Sequence, residues 1–465
     1  MVSNDLILAQ LMEENRQLRE TVMFLNSRID TLQEEIARLK KNSRNSSKPP
    51  SSDIVKPNKN GTVAGKRKDK IGGQKGHPRH ERTSFAPEAI DRTVRYELSP
   101  AQSRGLIPLE EWFVLQQVDL ADKLYLVTEH RVRKYLDPRT GRIVMAPLPV
   151  AVKAAGLVGP KLSALAAYQK GACHMSYTTM QRFWDEILGI PISRSQLVNV
   201  LQKASAAFAQ PYAELREALV RQAYVGVDES GHTDCGEKFW TWCFRAPDFT
   251  LFHIDPSRGS QVLKAILTEI FGGILGSDYF SAYHKYMADC KVLVQFCWAH
   301  LIREIRFLAE HTAKSLQGWG QRLLAWIRKL FDTWHRAEQM TRAGFVRSMH
   351  RIQRGFLKVI RRVPSRAEAH TLADRFRGRQ ADNYFRFLTT PGIEPTNNQT
   401  EQAIRHIVID RHITQGTRGS RGQRWSERLW TVIATCRQQN RGIFHFLCNA
   451  LNAHFRQEAV PSLLR

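Results

Sequence analysis

The stretch that most constrains this chain is residues 223–231, AYVGVDESG, where an apolar run stops at a carboxylate, Asp228. Such a run reads as a buried strand, and the acid marks where it reaches the rim of its sheet. The theme then repeats. KFWTWCFR and FTLFHI read as two more strands on short connections, and residues 260–270 as a helix. GGILGSD is a fourth strand that also ends in an aspartate, Asp278. A short helical stretch over 281–289, the strand KVLVQFC and a helix from Trp298 complete the series.

The resulting order, β-β-β-α-β-α-β-α, is that of a ribonuclease H-like mixed sheet, in which the first and fourth strands lie side by side. Aspartates ending those strands would be neighbours. A third carboxylate comes from PTNNQTEQAIR, residues 395–405, a helix start with Glu401 one turn in and Asn397 or Asn398 as its cap. Each acid alone has a plainer reading as a turn former, a helix cap or a complement to a helix dipole. The strand order couples them. Three converging carboxylates suit two Mg²⁺ or Mn²⁺ ions about 4 Å apart, which activate a water or hydroxyl and stabilise charge on an attacked phosphate. Asp228, Asp278 and Glu401 are therefore the expected catalytic and metal-holding residues. Glu229 should point to the opposite face of its strand. A rival metal set, Cys290, Cys297 and His300, lacks a fourth ligand and fits no common zinc spacing.

The rest of the chain reads as means of bringing DNA to these acids. A formal net charge of +25 in 465 residues favours a polyanionic partner, and 42% apolar residues suffice for buried cores. Residues 1–40 carry a heptad repeat: Leu11, Leu18, Leu25, Leu32 and Leu39 alternate with Leu8, Asn15, Val22, Ile29 and Ile36. This is the pattern of a parallel coiled-coil dimer whose register Asn15 would set. Residues 41–92 form a basic Ser-, Pro- and Gly-rich linker. Residues 93–150 alternate as a small β module, in TVRYEL, EEWFVLQQVDL, KLYLVTEHRVRKYL and GRIVMAPL, with a turn at 137–141. Residues 151–221 are helical. There Ser193 caps a helix carrying Arg194, Gln196 and Asn199, consistent with a helix-turn-helix reader or an ordinary helix pair. The first part of the sheet domain covers 222–297, a helical insertion 298–390, and the catalytic helix with a basic tail 391–465. His300, Arg303, Arg405 and Arg411, with Arg418, Arg421 and Arg424 of a Gly-rich loop over 416–428, are further candidate DNA contacts. Seven irregularly spaced cysteines without a C-x-x-C imply reduced thiols. No apolar run approaches a transmembrane span, and no signal-peptide pattern opens the chain, so a cytoplasmic location is expected.

Five motifs give the chain a family likeness. VDESG (227–231), SDYFSAY (277–283), QFCWAHLIRE (295–304), PTNNQTEQAIR (395–405) and KNSRNSSKPPSSD (41–53) resemble the insertion sequence 66 family of bacterial transposases. The resemblance implies a DDE-type enzyme that cuts transposon ends and joins the 3′-hydroxyls to target DNA. It carries the acidic triad onto Asp228, Asp278 and Glu401, and implies accessory proteins of the same element as partners. An inactive DNA-binding derivative and a nuclease that cuts without joining are the alternatives. Two departures stand out. The paired cysteines of the family's zinc-ribbon-like module are missing near 98–105 and 135–141, so no structural zinc is expected there. Gln402 also stands where an Arg commonly follows the catalytic Glu.

Overall fold

The computed structural model describes residues 4–39 and 84–465, less a few positions between 103 and 122. Most of the predicted linker therefore lies outside the described residues. The chain divides into two compact units, one of residues 58–131 and the other of residues 1–57 with 132–465.

In the larger unit α1, Asn4–Leu39, is a continuous helix of 36 residues, about 54 Å long at 1.5 Å per residue. Its apolar stripe is bare: Leu11, Leu18, Leu25, Leu32 and Leu39 are 46–63% exposed.

The predicted β module is corrected. Of its four alternating stretches only two three-residue pieces pair, β1 (Lys134–Leu136) with β2 (Ile143–Met145), antiparallel. Between them the Asp137 carboxylate accepts from the Arg139 amide and the Thr140 hydroxyl, and Gly141 takes φ +68°, which closes the turn. TVRYEL and EEWFVLQQVDL form no strand among their described residues. The physical reason is that no partner layer covers them among the described residues: Tyr96 is 86% and Phe113 94% exposed. The smaller unit is tied instead by Gln116, whose side-chain amide pairs with both main-chain groups of Phe85.

Helices follow: α2 (Val150–Ala155), α3 (Pro160–Gly171), α4 (Tyr177–Glu186), α5 (Arg194–Ala207) and α6 (Ala209–Leu219). By length and composition Val150–Gly171 is apolar enough to cross a membrane. The chain nevertheless breaks it between Ala155 and Pro160, and α3 packs on α5 and the C-terminal helix. Ser193 caps α5 as predicted, but in a reciprocal box in which the Gln196 side chain accepts from the Ser193 amide.

The sheet domain then runs β3 (Tyr224–Asp234), β4 (Glu237–Arg245), β5 (Thr250–Asp255), α7 (Ser260–Leu267), β6 (Ile274–Ser277), α8 (Ser281–Cys290) and β7 (Leu293–Phe296). The spatial order is β5-β4-β3-β6-β7. The first three strands are antiparallel, and β6 and β7 run parallel to β3. The first and fourth strands of the domain are thus neighbours, as the element order predicts. The predicted boundary of β3 is too short. It runs past Asp228 to Asp234 because ESGHTD pairs fully with the opening residues of β4 across a two-residue turn at Cys235 and Gly236. Both turn residues have positive φ, 51° and 91°, as a hairpin of this length needs.

The insertion comprises α9 (Trp298–Ala309), α10 (Lys314–His335), α11 (Arg342–Ile360), α12 (Ala367–Asp374) and α13 (Asp382–Phe385), with α9 and α11 packed on α10. The chain closes with α14 (Asn398–Thr414), α15 (Ser420–Gln438) and α16 (Ile443–Arg456). The Gly-rich loop predicted at 416–428 is only its first few residues, since α15 begins at Ser420. α15 also covers the sheet edge. Glu427, Thr431 and Thr435, one turn apart, accept the outward amides of Ile254, Phe252 and Thr250 of β5. All seven cysteines are free.

Candidate active site

The register of β3 sets the site. Its parallel pairing with β6 runs from Tyr224↔Ile274 to Gly226↔Gly276 and stops there, while its antiparallel pairing with β4 continues. Asp228 sits just past that point, in mid-strand rather than at a strand end, where the sheet narrows from five strands to three. Asp278 follows the last residue of β6. Both acids therefore lie at one step in the sheet, reached from two strands.

Side-chain alternation sends Gly226 and Asp228 to the face covered by α14. A Cβ on Gly226 would stand 2.3 Å from Thr400 Oγ1 and 2.9 Å from Asn397 Oδ1, so the glycine is what admits the start of α14 against β3. Asn397 occupies the N-cap position of α14, but its side chain does not cap. Instead its Nδ2 donates to the Val227 carbonyl at 2.9 Å, one residue before Asp228, and its backbone amide donates to Cys297 Sγ at 3.2 Å. The Trp298 amide donates to the Pro395 carbonyl at 3.0 Å. Both ends of the insertion are thereby stitched together beside the step. Buried Gln295 adds a third tie, accepting from the Phe387 amide and donating to the Tyr384 carbonyl. These bonds place Glu401 in the first turn of α14.

The electrostatics tie the acids together. Burial, then the charges of Glu229, Asp278 and Glu401, holds the Asp228 carboxyl well above the usual carboxylate range. Burial and the Glu229 charge push Asp278 up to about 7, against the Phe280 amide and Arg258, which lower it. Glu401 meets His300 Nδ1 at 3.6 Å and Arg303 at 3.7 Å, and its Oε1 is buried with no hydrogen-bond partner among the described residues. Burial depresses the His300 pKa to about 4, leaving a neutral imidazole there. A half-buried group of carboxylates whose charge Arg258, Arg303 and nearby amides offset only in part suits hard divalent cations, which bind carboxylate oxygens and keep open positions for water and phosphate.

Glu229 does point to the opposite face, beside Trp242 and Tyr283. It is nonetheless an electrostatic member of the cluster, a role the alternation argument missed. Its side chain is 2% exposed and is held by Arg258 at 2.7 Å and by the Tyr283 hydroxyl. Arg258 in turn lies over the Trp240 and Phe280 rings. A buried acid next to a strand-borne acid, followed by a lone Arg before a helix, is a faint signal at best.

The other candidates separate into groups. His300 and Arg303 contact Glu401. Gln196 is committed to the α5 cap, and half-buried Arg411 donates to Ser230 Oγ at 3.0 Å. Arg405 and Arg424 are carried on α14 and α15, clear of the acids' hydrogen bonds and ion pairs. Arg194, Asn199, Arg418 and Arg421 line one cleft of about 850 Å³ between α4, α5 and the start of α15. The loop that carries Arg418 is pinned to the far end of β3. Thr417 and Gly419 bond the Asp234 carboxylate at 2.6 and 2.8 Å, and Gly416 at φ +98° lies directly against the Thr233 carbonyl.

Comparison with known proteins matches residues 155–424, a span holding β3 through α14 and the start of α15, to the transposase IS66 family. Residues 3–83 match a family of unknown function (DUF6444). No curated protein matches significantly. With more than half its length covered by that first match, including Asp228, Asp278 and Glu401, the chain belongs to the IS66 family of transposases.

Proposed function

We propose that this chain is a DDE-type transposase that cuts transposon ends and joins their 3′-hydroxyls to target DNA, using a ribonuclease H-like core. The observation that carries the reading is that acids from two other segments, Asp278 after β6 and Glu401 in α14, lie near enough to Asp228 in β3 for their charges to act on it. Burial first, then the Glu229 charge and, more weakly, the charges of neighbouring triad acids raise the pKa of both aspartates. The strand order β5-β4-β3-β6-β7, with three antiparallel strands followed by two parallel ones, supports the fold assignment.

Asp228, Asp278 and Glu401 would hold two Mg²⁺ or Mn²⁺ ions. Bound there, the ions would supply Lewis-acid stabilisation of the attacked phosphate and lower the pKa of the attacking hydroxyl or water. The chain's own residues do the rest. Asn397 and Gly226 set the position of Glu401, and the Arg303 charge faces its carboxylate. Arg258 and Tyr283 hold the Glu229 charge on the far face of β3.

The test is an assay of the purified protein with Mg²⁺ or Mn²⁺ on DNA carrying the element's terminal repeats. Cleaved ends and joined products support the reading. Binding without any cutting identifies an inactive derivative, and cutting without joining a nuclease.

Arg194, Arg418 and Arg421 are proposed phosphate contacts in their cleft, with Asn199 beside them. Replacing the three arginines by Ala should weaken DNA binding. The slope of log affinity against log salt should become shallower by about 1 for each phosphate no longer neutralised. An unchanged slope, measured by fluorescence anisotropy at several salt concentrations, would remove the cleft from the interface.

The bare stripe of α1 is proposed to pair with α1 of a second copy. Leucines recur at one seam position and mostly β-branched residues at the other, which favours two parallel strands. Deleting residues 1–40 should roughly halve the mass measured by light scattering. The same mass before and after deletion would place self-association elsewhere. Accessory proteins of the same element, and a cytoplasmic, nucleoid-associated location, are further parts of this reading.

A further inference from the structure

Among the described residues, the three metal-ligating groups whose donor atoms all lie within 4.8 Å of one another are Cys297, His300 and Glu401. Cys297 precedes α9, His300 is in its first turn, and Glu401 is in the first turn of α14. Cys290, the ligand suggested by sequence spacing, is at the end of α8 beside Lys264 and Asp289, outside this group.

We infer that Cys297, His300 and Glu401 form a site for a zinc-class divalent cation, whose occupancy withdraws Glu401 from the carboxylate cluster and so antagonises Mg²⁺. The effect on catalysis rests on the transposase reading, whereas the site itself does not.

Three observations converge. His300 Nδ1 and Glu401 Oε1 are 3.6 Å apart, both buried and both without a hydrogen-bond partner among the described residues. That separation is long for a hydrogen bond. It fits the edge between two ligands of a tetrahedral zinc, about 3.3–3.7 Å for metal–ligand distances of about 2.0–2.3 Å. Second, the Asn397 amide already points at Cys297 Sγ at 3.2 Å, and amides of the α9 start also face it. Burial holds the Cys297 thiol up at about 11 and these amides only partly oppose it, so zinc must displace the thiol proton to solvent. Third, the donor set is thiol, imidazole and carboxylate. Zinc takes all three, while Mg²⁺ strongly prefers oxygen. Three protein ligands leave a fourth position for water, which suits reversible occupancy.

The two sites share Glu401 and cannot both use it fully. In this structure Glu401 is turned toward His300 and Arg303. Zinc would fix that orientation.

The test uses the full chain, stripped of metal, without DNA. Zinc is titrated against a chromogenic chelator, for wild type, Cys297→Ser, His300→Ala and a Cys290→Ser control, with folding verified by circular dichroism. Wild type and the control should bind one equivalent that the other two lose or bind at least about tenfold more weakly. Co²⁺ should give a thiolate-to-cobalt absorption band in wild type and Cys290→Ser that is absent in Cys297→Ser. Equal zinc uptake by all four proteins, or a cobalt band that survives Cys297→Ser, overturns the site. For the antagonism, zinc should inhibit Mg²⁺-dependent strand transfer by wild type. In Cys297→Ser, half-inhibition should need at least about tenfold more zinc. Zinc uptake that leaves strand transfer untouched overturns the antagonism alone. A protein that never transfers strands but shows the cobalt band refutes the function while keeping the site.

Discussion

Asp278→Asn is expected to lower strand transfer by at least about 10²–10³-fold, the scale of losing one preorganised electrostatic group, while making the metal-free protein more stable above neutral pH. Both effects have one cause. The Asp278 carboxyl titrates near 7 in the fold against an ordinary value of 3.8. A group whose pKa is raised by folding contributes stability that is complete below the unfolded value and lost as pH rises through the folded one. The metal-free wild type should therefore melt at falling temperature as pH is raised from about 4 to 7, because burial and the Glu229 charge oppose ionisation. Asparagine keeps the shape and removes the charge, so that part of the pH dependence should vanish. Adding Mg²⁺ at pH 8 should raise the wild-type melting temperature, since a ligand of the folded state stabilises it by mass action. In Asp278→Asn the rise should shrink. Asp228→Asn should behave alike, its carboxyl being raised by burial and by its acidic neighbours. Glu401→Gln should also lose strand transfer. A variant that keeps wild-type transfer would remove its residue from the triad. A metal-free melting curve equally pH-dependent in wild type and Asp278→Asn would show that Asp278 does not carry the raised pKa.

How much of this was legible beforehand depended on how local each signal was. Apolar runs bounded by turn residues predicted β3 to β7 in the right order, and the order alone placed β3 beside β6. What failed was the end of β3. ESGHTD has no apolar run, and its strand character comes from pairing with β4 across the Cys235–Gly236 turn, which no periodicity shows. The two N-terminal stretches of the module over 93–150 failed the opposite way. Alternation is present, but no second layer covers it among the described residues. In the candidate site, the three acids are singled out by the strand order that couples them, since each alone has a plainer reading as a turn former or helix cap. Local sequence makes Asn397 a helix cap, its usual role, whereas its side chain serves a strand distant in sequence. Spacing along the chain groups Cys297 and His300 with Cys290. Only the return of the chain after the insertion substitutes Glu401.

Asn397→Asp is the substitution expected to separate positioning from chemistry. It preserves size and leaves every acid in place, but the new carboxylate has no donor for the Val227 carbonyl. That carbonyl would lose its bond from the side chain at position 397, and a charge would enter a site where Asn397 is 4% exposed. The expected loss of stability is about 2–3 kcal/mol, the cost of an unpaired buried polar group and a poorly solvated charge, read from urea melts. Asn397→Ala should lose about 1–3 kcal/mol without the added charge. Gly226→Ala approaches the same contact from the strand side. Its Cβ would fall 2.3 Å from Thr400 Oγ1 and 2.9 Å from Asn397 Oδ1, so both buried side chains must turn aside or α14 must move off β3, and either change disturbs the seat of Glu401. Small displacements of a catalytic group cost rate steeply, about 10²-fold for 1 Å. All three variants should therefore lose strand transfer while still folded, under conditions where melts show native protein. DNA affinity should be little changed, because Arg194, Arg418 and Arg421 lie in their own cleft between α4, α5 and α15. If Asn397→Ala and Gly226→Ala are destabilised yet transfer strands at the wild-type rate when folded, the placement of α14 against β3 matters for stability alone. Glu401 must then reach the aspartates by some other restraint.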